Sequence, residues 1–85
     1  MDEALQNKIE QYAFNDAWCH WKTTKPGQEL PWPTIDQVQT TLESMISHLI
    51  KVDIQSEDDD LFKVYAMMWE VAIDRFKKDK LSKVV

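Results

Sequence analysis

Apolar residues recur every three to four positions along most of this chain, which is the period of amphipathic α-helices. The only glycine and all three prolines fall together in residues 26–33. Glycine relaxes the backbone φ angle and proline restrains it, so both interrupt helices. Residues 1–25 and 34–85 contain neither. The pattern therefore predicts an all-α protein with one irregular Pro/Gly-rich connector over residues 24–33.

The first predicted helix covers residues 2–22 and carries apolar side chains on two faces. Its first half shows one stripe at helical spacing, defined by Leu5, Ile9, Tyr12 and Ala13. Past this stripe the apolar positions turn to another face, which includes Phe14, Ala17, Trp18 and Trp21. A helix that is apolar on two faces needs two packing partners.

The second predicted helix begins at Thr34 and ends near Val52. Thr34 and Gln37 fit a capping box, in which the hydroxyl accepts from a backbone amide and the glutamine side chain reaches back. A single apolar stripe follows, formed by Ile35, Val38, Leu42, Met45, Ile46 and Leu49. We therefore expect this helix to pack on one side only.

The third predicted helix follows the acidic residues 57–60 and runs to about Lys80. Its expected N-cap lies within residues 56–58. Apolar side chains cover more than half of its circumference: Leu61, Phe62, Val64, Tyr65, Ala66, Met68, Trp69, Ala72, Ile73 and Phe76. A helix of this kind is buried by more than one neighbour and is therefore central to its fold.

Chain length limits the architecture, since 85 residues make one domain at most. A domain of this size buries only about 60–65% of its unfolded surface, so it needs a rich core or a partner. Four tryptophans, three phenylalanines and two tyrosines supply large apolar area. Short connections favour antiparallel neighbours. We therefore expect residues 1–85 to form a single helical domain, a small three-helix up-and-down bundle with the third helix central.

Acidic residues outnumber basic ones by 15 to 10, which gives a formal net charge of −5. Nucleic-acid affinity comes mainly from neutralising phosphates, so direct binding to DNA or RNA is not expected. The clustered basic residues are Arg75, Lys77, Lys78, Lys80 and Lys83. No apolar run approaches the roughly 18 residues of a membrane span, and no charged-then-apolar leader opens the chain. We expect a cytoplasmic protein without membrane contact.

Residues suited to catalysis or ligand binding are few. Cys19 is the only cysteine, which excludes an internal disulfide and fits a reducing compartment. Cys19 and His20 point about 100° apart on a helix and cannot easily share a tetrahedral metal site, so we expect a buried thiol beside a surface histidine. One glycine is too few for a phosphate-cradling loop or a nucleophile elbow. The sequence predicts no metal, no cofactor and no enzymatic activity.

The acidic run of Glu57, Asp58, Asp59 and Asp60 has two interpretations. Carboxylates at a helix N-terminus complement the positive end of the helix dipole, and this interpretation is favoured. Alternatively, the run is a docking patch for a basic partner, or part of a surface that imitates nucleic-acid phosphates. The run lacks the spacing and the glycine of a calcium-binding EF-hand loop.

Phe14, Trp18, Trp21 and Trp32 form the most suggestive group in the sequence. In one interpretation the connector folds back, and Trp32 covers Trp18 and Trp21. In the other, the group is an exposed patch, because tryptophan is enriched at binding hot spots. The surplus of apolar surface on the first and third helices favours a homodimer or a tight protein partner.

These patterns together predict a non-enzymatic protein-binding module. It would be a small regulator, adaptor or inhibitor that acts through an aromatic and apolar helix surface. One alternative is an acidic decoy that mimics nucleic acid, which requires its carboxylates on one continuous face. Another is a structural subunit of a larger assembly.

Overall fold

Three α-helices make up most of the described part of the chain, which comprises residues 2–25, 27–28 and 32–79 of a computed structural model. α1 spans Glu3–Thr23, α2 spans Ile35–Ile46 and α3 spans Asp60–Lys78. α3 packs mainly against α1 and also contacts α2. The predicted all-α bundle with a central third helix is therefore confirmed. Two of the connector prolines, Pro26 and Pro31, and the basic residues Lys80 and Lys83 lie outside the described residues.

At the end of α1, side-chain hydroxyls donate hydrogen bonds to backbone carbonyl groups of the last turns. Thr23 and Thr24 each donate to backbone carbonyls one turn earlier, at distances of 2.6–3.1 Å. These bonds satisfy acceptors that a helix end leaves without partners. A turn follows, closed by the Gln28 amide, which donates to the Lys25 carbonyl at 3.0 Å. Gly27 lies within this turn at a φ of 87°, a left-handed conformation that favours glycine.

α2 begins as its capping motif predicts, but it ends earlier. The Thr34 hydroxyl accepts from the Gln37 backbone amide at 3.1 Å. The Gln37 side chain does not complete the predicted capping box but donates to the Tyr65 hydroxyl, at 3.4 Å. The helix ends at Ile46 rather than near Val52.

Residues 47–59 turn back alongside α2 instead of extending it, and we call them the return segment. The side-chain amide of Gln39 donates to the Val52 carbonyl at 2.8 Å and accepts from the Ile54 amide at 2.7 Å. Val52 and Ile54 are both buried. Near the end of the segment, Glu57 lines a groove together with Ile35, so α3 starts beside the start of α2. The return segment thus determines what the first half of α3 can contact.

Replacing Gln39 by alanine is expected to loosen the return segment without unfolding the bundle. The backbone groups of Val52 and Ile54 would both lose their partner, and each such hydrogen bond contributes about 1 kcal/mol. We expect the Ile54 amide to exchange with solvent at least about tenfold faster, as measured by NMR. Gln55→Ala, at an exposed position in the same segment, should leave this rate unchanged. Equal protection of Ile54 in both variants would contradict the assigned role of Gln39.

The core is continuous across the three helices and the return segment. α1 contributes one buried stripe with a spacing of four residues: Ile9, Ala13, Ala17 and Trp21. Trp69 and Phe76 of α3, each 2% exposed, lie in the core as the central-helix prediction requires. Cys19, in contrast, is exposed, so the expectation of a buried thiol is wrong. Cys19 lies two residues after Ala17 and two residues before Trp21, which both belong to the buried stripe. Two residues correspond to a rotation of about 200° around a helix, so Cys19 points away from that stripe.

Candidate protein-binding surface

Phe76 of α3 covers the aromatic side chains of α1. Its ring centroid lies 5.2 Å from the centroids of Phe14 and Trp18 and 5.9 Å from that of Trp21. Phe14 and Trp18 meet this ring edge-on, at interplanar angles of 68° and 63°. The Arg75 guanidinium lies over the Phe14 ring, 5.9 Å from its centroid. Contact with Phe76 therefore covers part of the second apolar face of α1 within the chain itself: Trp21 is buried, and Phe14 and Trp18 are partly buried.

Trp32 lies against other parts of the fold. Its side chain is 51% exposed and lines two adjoining grooves. The first groove includes Phe62, Ala66 and Met67 of α3, and the second includes Ile35 at the start of α2. The expected cover for Trp18 and Trp21 is thus provided by Phe76. The return segment brings the first half of α3 beside the end of the connector, where Trp32 and α3 line the same groove.

Three large apolar side chains on this side of the molecule remain in water. Met67 is 68% exposed and Val71 is 56% exposed. They are four residues apart on α3 and therefore lie on the same face, one turn from each other. We call Trp32, Met67 and Val71, together with the two grooves beside Trp32, the Trp32 surface. A smaller exposed pair, Met45 and Leu49, lies near the end of α2.

Carboxylates border the Trp32 surface. Glu57 lines both grooves, Asp36 lines the groove at the start of α2, and Glu70 lines the groove on α3. Lys63 is the ammonium group among the lining residues of the α3 groove. Four ionisable side chains, three of them acidic, therefore line the two grooves that Trp32 also lines.

The residues of the acidic run have two different roles, one at the N-terminus of α3 and one at the Trp32 surface. Asp59 is the N-cap of α3, one residue beyond the predicted positions, and its carboxylate accepts from the Leu61 amide at 2.9 Å. Asp60 occupies the first turn, where a negative charge complements the helix dipole. Asp58 donates its backbone amide to the Ser56 hydroxyl at 3.2 Å. Glu57 is the member of the run that lines the Trp32 surface.

Replacing Asp59 and Asp60 together by asparagine tests the capping role. Asparagine caps about as well as aspartate but lacks the charge that favours the dipole. We expect the unfolding free energy to fall by about 1 kcal/mol or less, measured by urea denaturation. Asp59→Ala, which removes the acceptor of the Leu61 amide, should cost more than Asp59→Asn. Equal losses for alanine and asparagine would show that the side-chain acceptor at this position contributes nothing.

A polar cluster that the sequence pattern does not predict joins the three helices. Asp16 of α1 accepts from the Tyr65 hydroxyl of α3, and also from the Thr41 hydroxyl of α2 at 3.1 Å. Gln37 of α2 donates to the Tyr65 oxygen. We call this cluster the Asp16 bridge. One feature of the sequence could have indicated this cluster. Asp16 directly precedes Ala17 of the buried stripe, so its side chain lies at the edge of the core rather than on the opposite face of α1.

Burial holds the pKa of Tyr65 well above its ordinary value of 10.0, and the hydrogen bond to Asp16 adds to this effect. The tyrosine side chain is fully buried, and its charged form would lie in an apolar interior. The phenol therefore remains a proton donor to Asp16. This chemistry suits a structural cross-link between helices rather than proton transfer.

Among the described residues, no group of three or more His, Cys, Asp and Glu side chains is arranged to hold a metal ion. None of the three helices is both long enough and apolar enough to cross a membrane, as judged on these same residues. Comparison with protein-family models, curated proteins and solved structures found no match for this chain.

Proposed function

We propose that this chain is a non-enzymatic protein-binding module and that the Trp32 surface is its contact face. The observation that carries the proposal is the half-exposed indole of Trp32 beside Met67, over a groove lined by Phe62 and Ala66. Tryptophan is enriched among residues that dominate binding energies, and methionine adapts its shape to different partners. A partner that covered these side chains would remove apolar area from water at about 25 cal/mol per Å².

The proposal keeps the predicted class of function but gives the leading role to one of the four predicted aromatics. Phe14, Trp18 and Trp21 already contact Phe76, so their rings stabilise the bundle. Trp32 has half of its surface left for a partner. In this proposal the chain acts as a regulator, adaptor or inhibitor by occupying one site on a larger protein with this face.

The test compares surface variants in partner capture and affinity. Tagged protein from the native host identifies partners, whose affinity is then measured for the parent chain, Trp32→Ala and Met67→Ala. We expect each variant to weaken binding at least about tenfold, the effect of a moderate hot-spot residue. Met45→Ala is the matched control, because Met45 is 47% exposed but lies outside the Trp32 surface.

Two results would contradict the proposal. One is a partner whose affinity falls in Met45→Ala but not in Trp32→Ala. The other is the behaviour of an acidic decoy, in which Asp59→Asn with Asp60→Asn abolishes binding while Trp32→Ala leaves it intact. Sedimentation of the same variants tests self-association: a dimer that dissociates in Trp32→Ala would make the partner a second copy of the chain.

A further inference from the structure

The charges around the Trp32 surface indicate which partner it fits, and this inference rests on the function proposed above. Asp36, Glu57 and Glu70 are exposed carboxylates that border the two grooves on either side of Trp32. Within the described residues, no hydrogen bond or ion pair involves the side chains of these three residues. Their charges are therefore available to a partner, and together they outnumber the single ammonium group of Lys63.

The same charges disfavour a second copy of the chain as the occupant. A symmetric dimer brings the same patch of both subunits together. The interface would then contain Asp36, Glu57 and Glu70 of both copies. Like charges in an interface oppose association. The net charge of −5 adds to this repulsion.

The shape of the apolar part indicates the form of the occupant. Phe62 and Ala66 line the groove beside Trp32 but are buried, whereas Met67 and Val71 are exposed on α3. Met67 and Val71 are four residues apart, so they form an apolar ridge of about 6 Å along the helix, at about 1.5 Å per residue. A short apolar ridge beside a groove matches part of the apolar face of another helix, as in helix-in-groove recognition.

We propose that the Trp32 surface binds a basic amphipathic helix of another protein. Apolar side chains of that helix cover Trp32, Met67 and Val71, while lysine or arginine side chains on its flanks approach Glu57, Glu70 and Asp36. A cation held over the Trp32 ring is further stabilised by the negative face of the indole. Apolar contact supplies most of the affinity, and the charges select the partner and accelerate association.

Synthetic peptides test this proposal on the full chain. Three peptides of about 14 residues, or four helical turns, share one leucine face and differ in carrying lysine, glutamine or glutamate at all other positions. Titration calorimetry gives the affinity of each peptide. We expect the lysine peptide to bind at least about tenfold more tightly than the glutamate peptide, with the glutamine peptide between them. This preference should shrink as the ionic strength rises from about 0.05 to 0.3 M, because exposed charges are screened.

Matched charge variants separate the Trp32 surface from the overall charge of the molecule. Glu57→Gln with Glu70→Gln should reduce the lysine-peptide preference several-fold. Glu3→Gln with Glu10→Gln makes the same change in net charge on α1 and should leave the preference unchanged. If both double variants act equally, general attraction explains binding and the proposal is overturned.

The remaining outcomes distinguish this inference from the proposed function. Equal affinity for all three peptides, lost in each case in Trp32→Ala, would overturn the basic partner but support the contact face. Peptide binding that is absent, or that survives Trp32→Ala unchanged, would count against the Trp32 surface itself. Thermal unfolding of every variant, measured in parallel, shows whether a variant that no longer binds is still folded.

Discussion

Phe76→Ala is expected to lower the unfolding free energy by about 3–5 kcal/mol, the usual cost of truncating a buried phenylalanine. Phe76 is 2% exposed, and its ring contacts Phe14, Trp18 and Trp21. Its loss removes both the transfer energy of the ring and three aromatic contacts that connect α1 to α3. A domain of this length typically has a total stability of about 4–13 kcal/mol, so the variant should lose a large share of its stability.

Denaturant unfolding measures this loss, and tryptophan emission adds a local readout. Trp18 and Trp21 would gain solvent contact, so their emission should shift to longer wavelength even where the variant remains folded. Phe76→Leu is the control, because it keeps most of the apolar volume and should cost clearly less than the alanine variant. An unchanged unfolding midpoint in Phe76→Ala would contradict the packing of α1 on α3 described above.

Asp16→Ala is expected to destabilise the protein by about 2–3 kcal/mol, because it leaves the buried hydroxyl of Tyr65 without its acceptor. Tyr65→Phe removes the donor instead and leaves the carboxylate with the Thr41 hydroxyl. If the Asp16 bridge is a real coupling, the double variant should cost less than the sum of the two single variants. Strictly additive losses in this double-mutant cycle would indicate that the two residues act independently.

The pH dependence of stability provides a second test of the Asp16 bridge. Below pH 10 the Tyr65 phenol is protonated in both the folded and the unfolded chain. Above pH 10 the unfolded chain loses this proton while the raised pKa keeps it on the folded chain. The unfolding free energy therefore falls as pH rises, by up to about 1.4 kcal/mol per pH unit from this group. Tyr65→Phe should lack this part of the decline. The other tyrosine, Tyr12, is present in both proteins, so the difference between them reports on Tyr65 alone.

Local sequence determined where the helices begin. Nearby residues predicted the starts of α1 and α2 and the Thr34 cap. They also predicted the N-cap of α3 to within one residue. Apolar periodicity and capping act over one or two turns, so they can be recognised without knowing the fold. The breadth of the apolar face of α3 likewise predicted its central position.

Long-range contacts decided where α2 ends. Its apolar stripe continues through Leu49 with unchanged spacing, so periodicity alone predicts a longer helix. The Gln39 side chain instead holds the backbone at Val52 and Ile54, which lie far beyond it in sequence. A glutamine on the polar face of a helix carries no local signal of such a bond.

The candidate surface shows the same division. The sequence alone identified Phe14, Trp18, Trp21 and Trp32 as candidate binding residues, since residue type sets their apolar area. Only the tertiary structure decided which of them is accessible: Phe76 covers the α1 rings, and the return segment places Trp32 beside Met67 at the surface. Exposure depends on which distant side chain arrives at each ring, and helical periodicity holds no information about that.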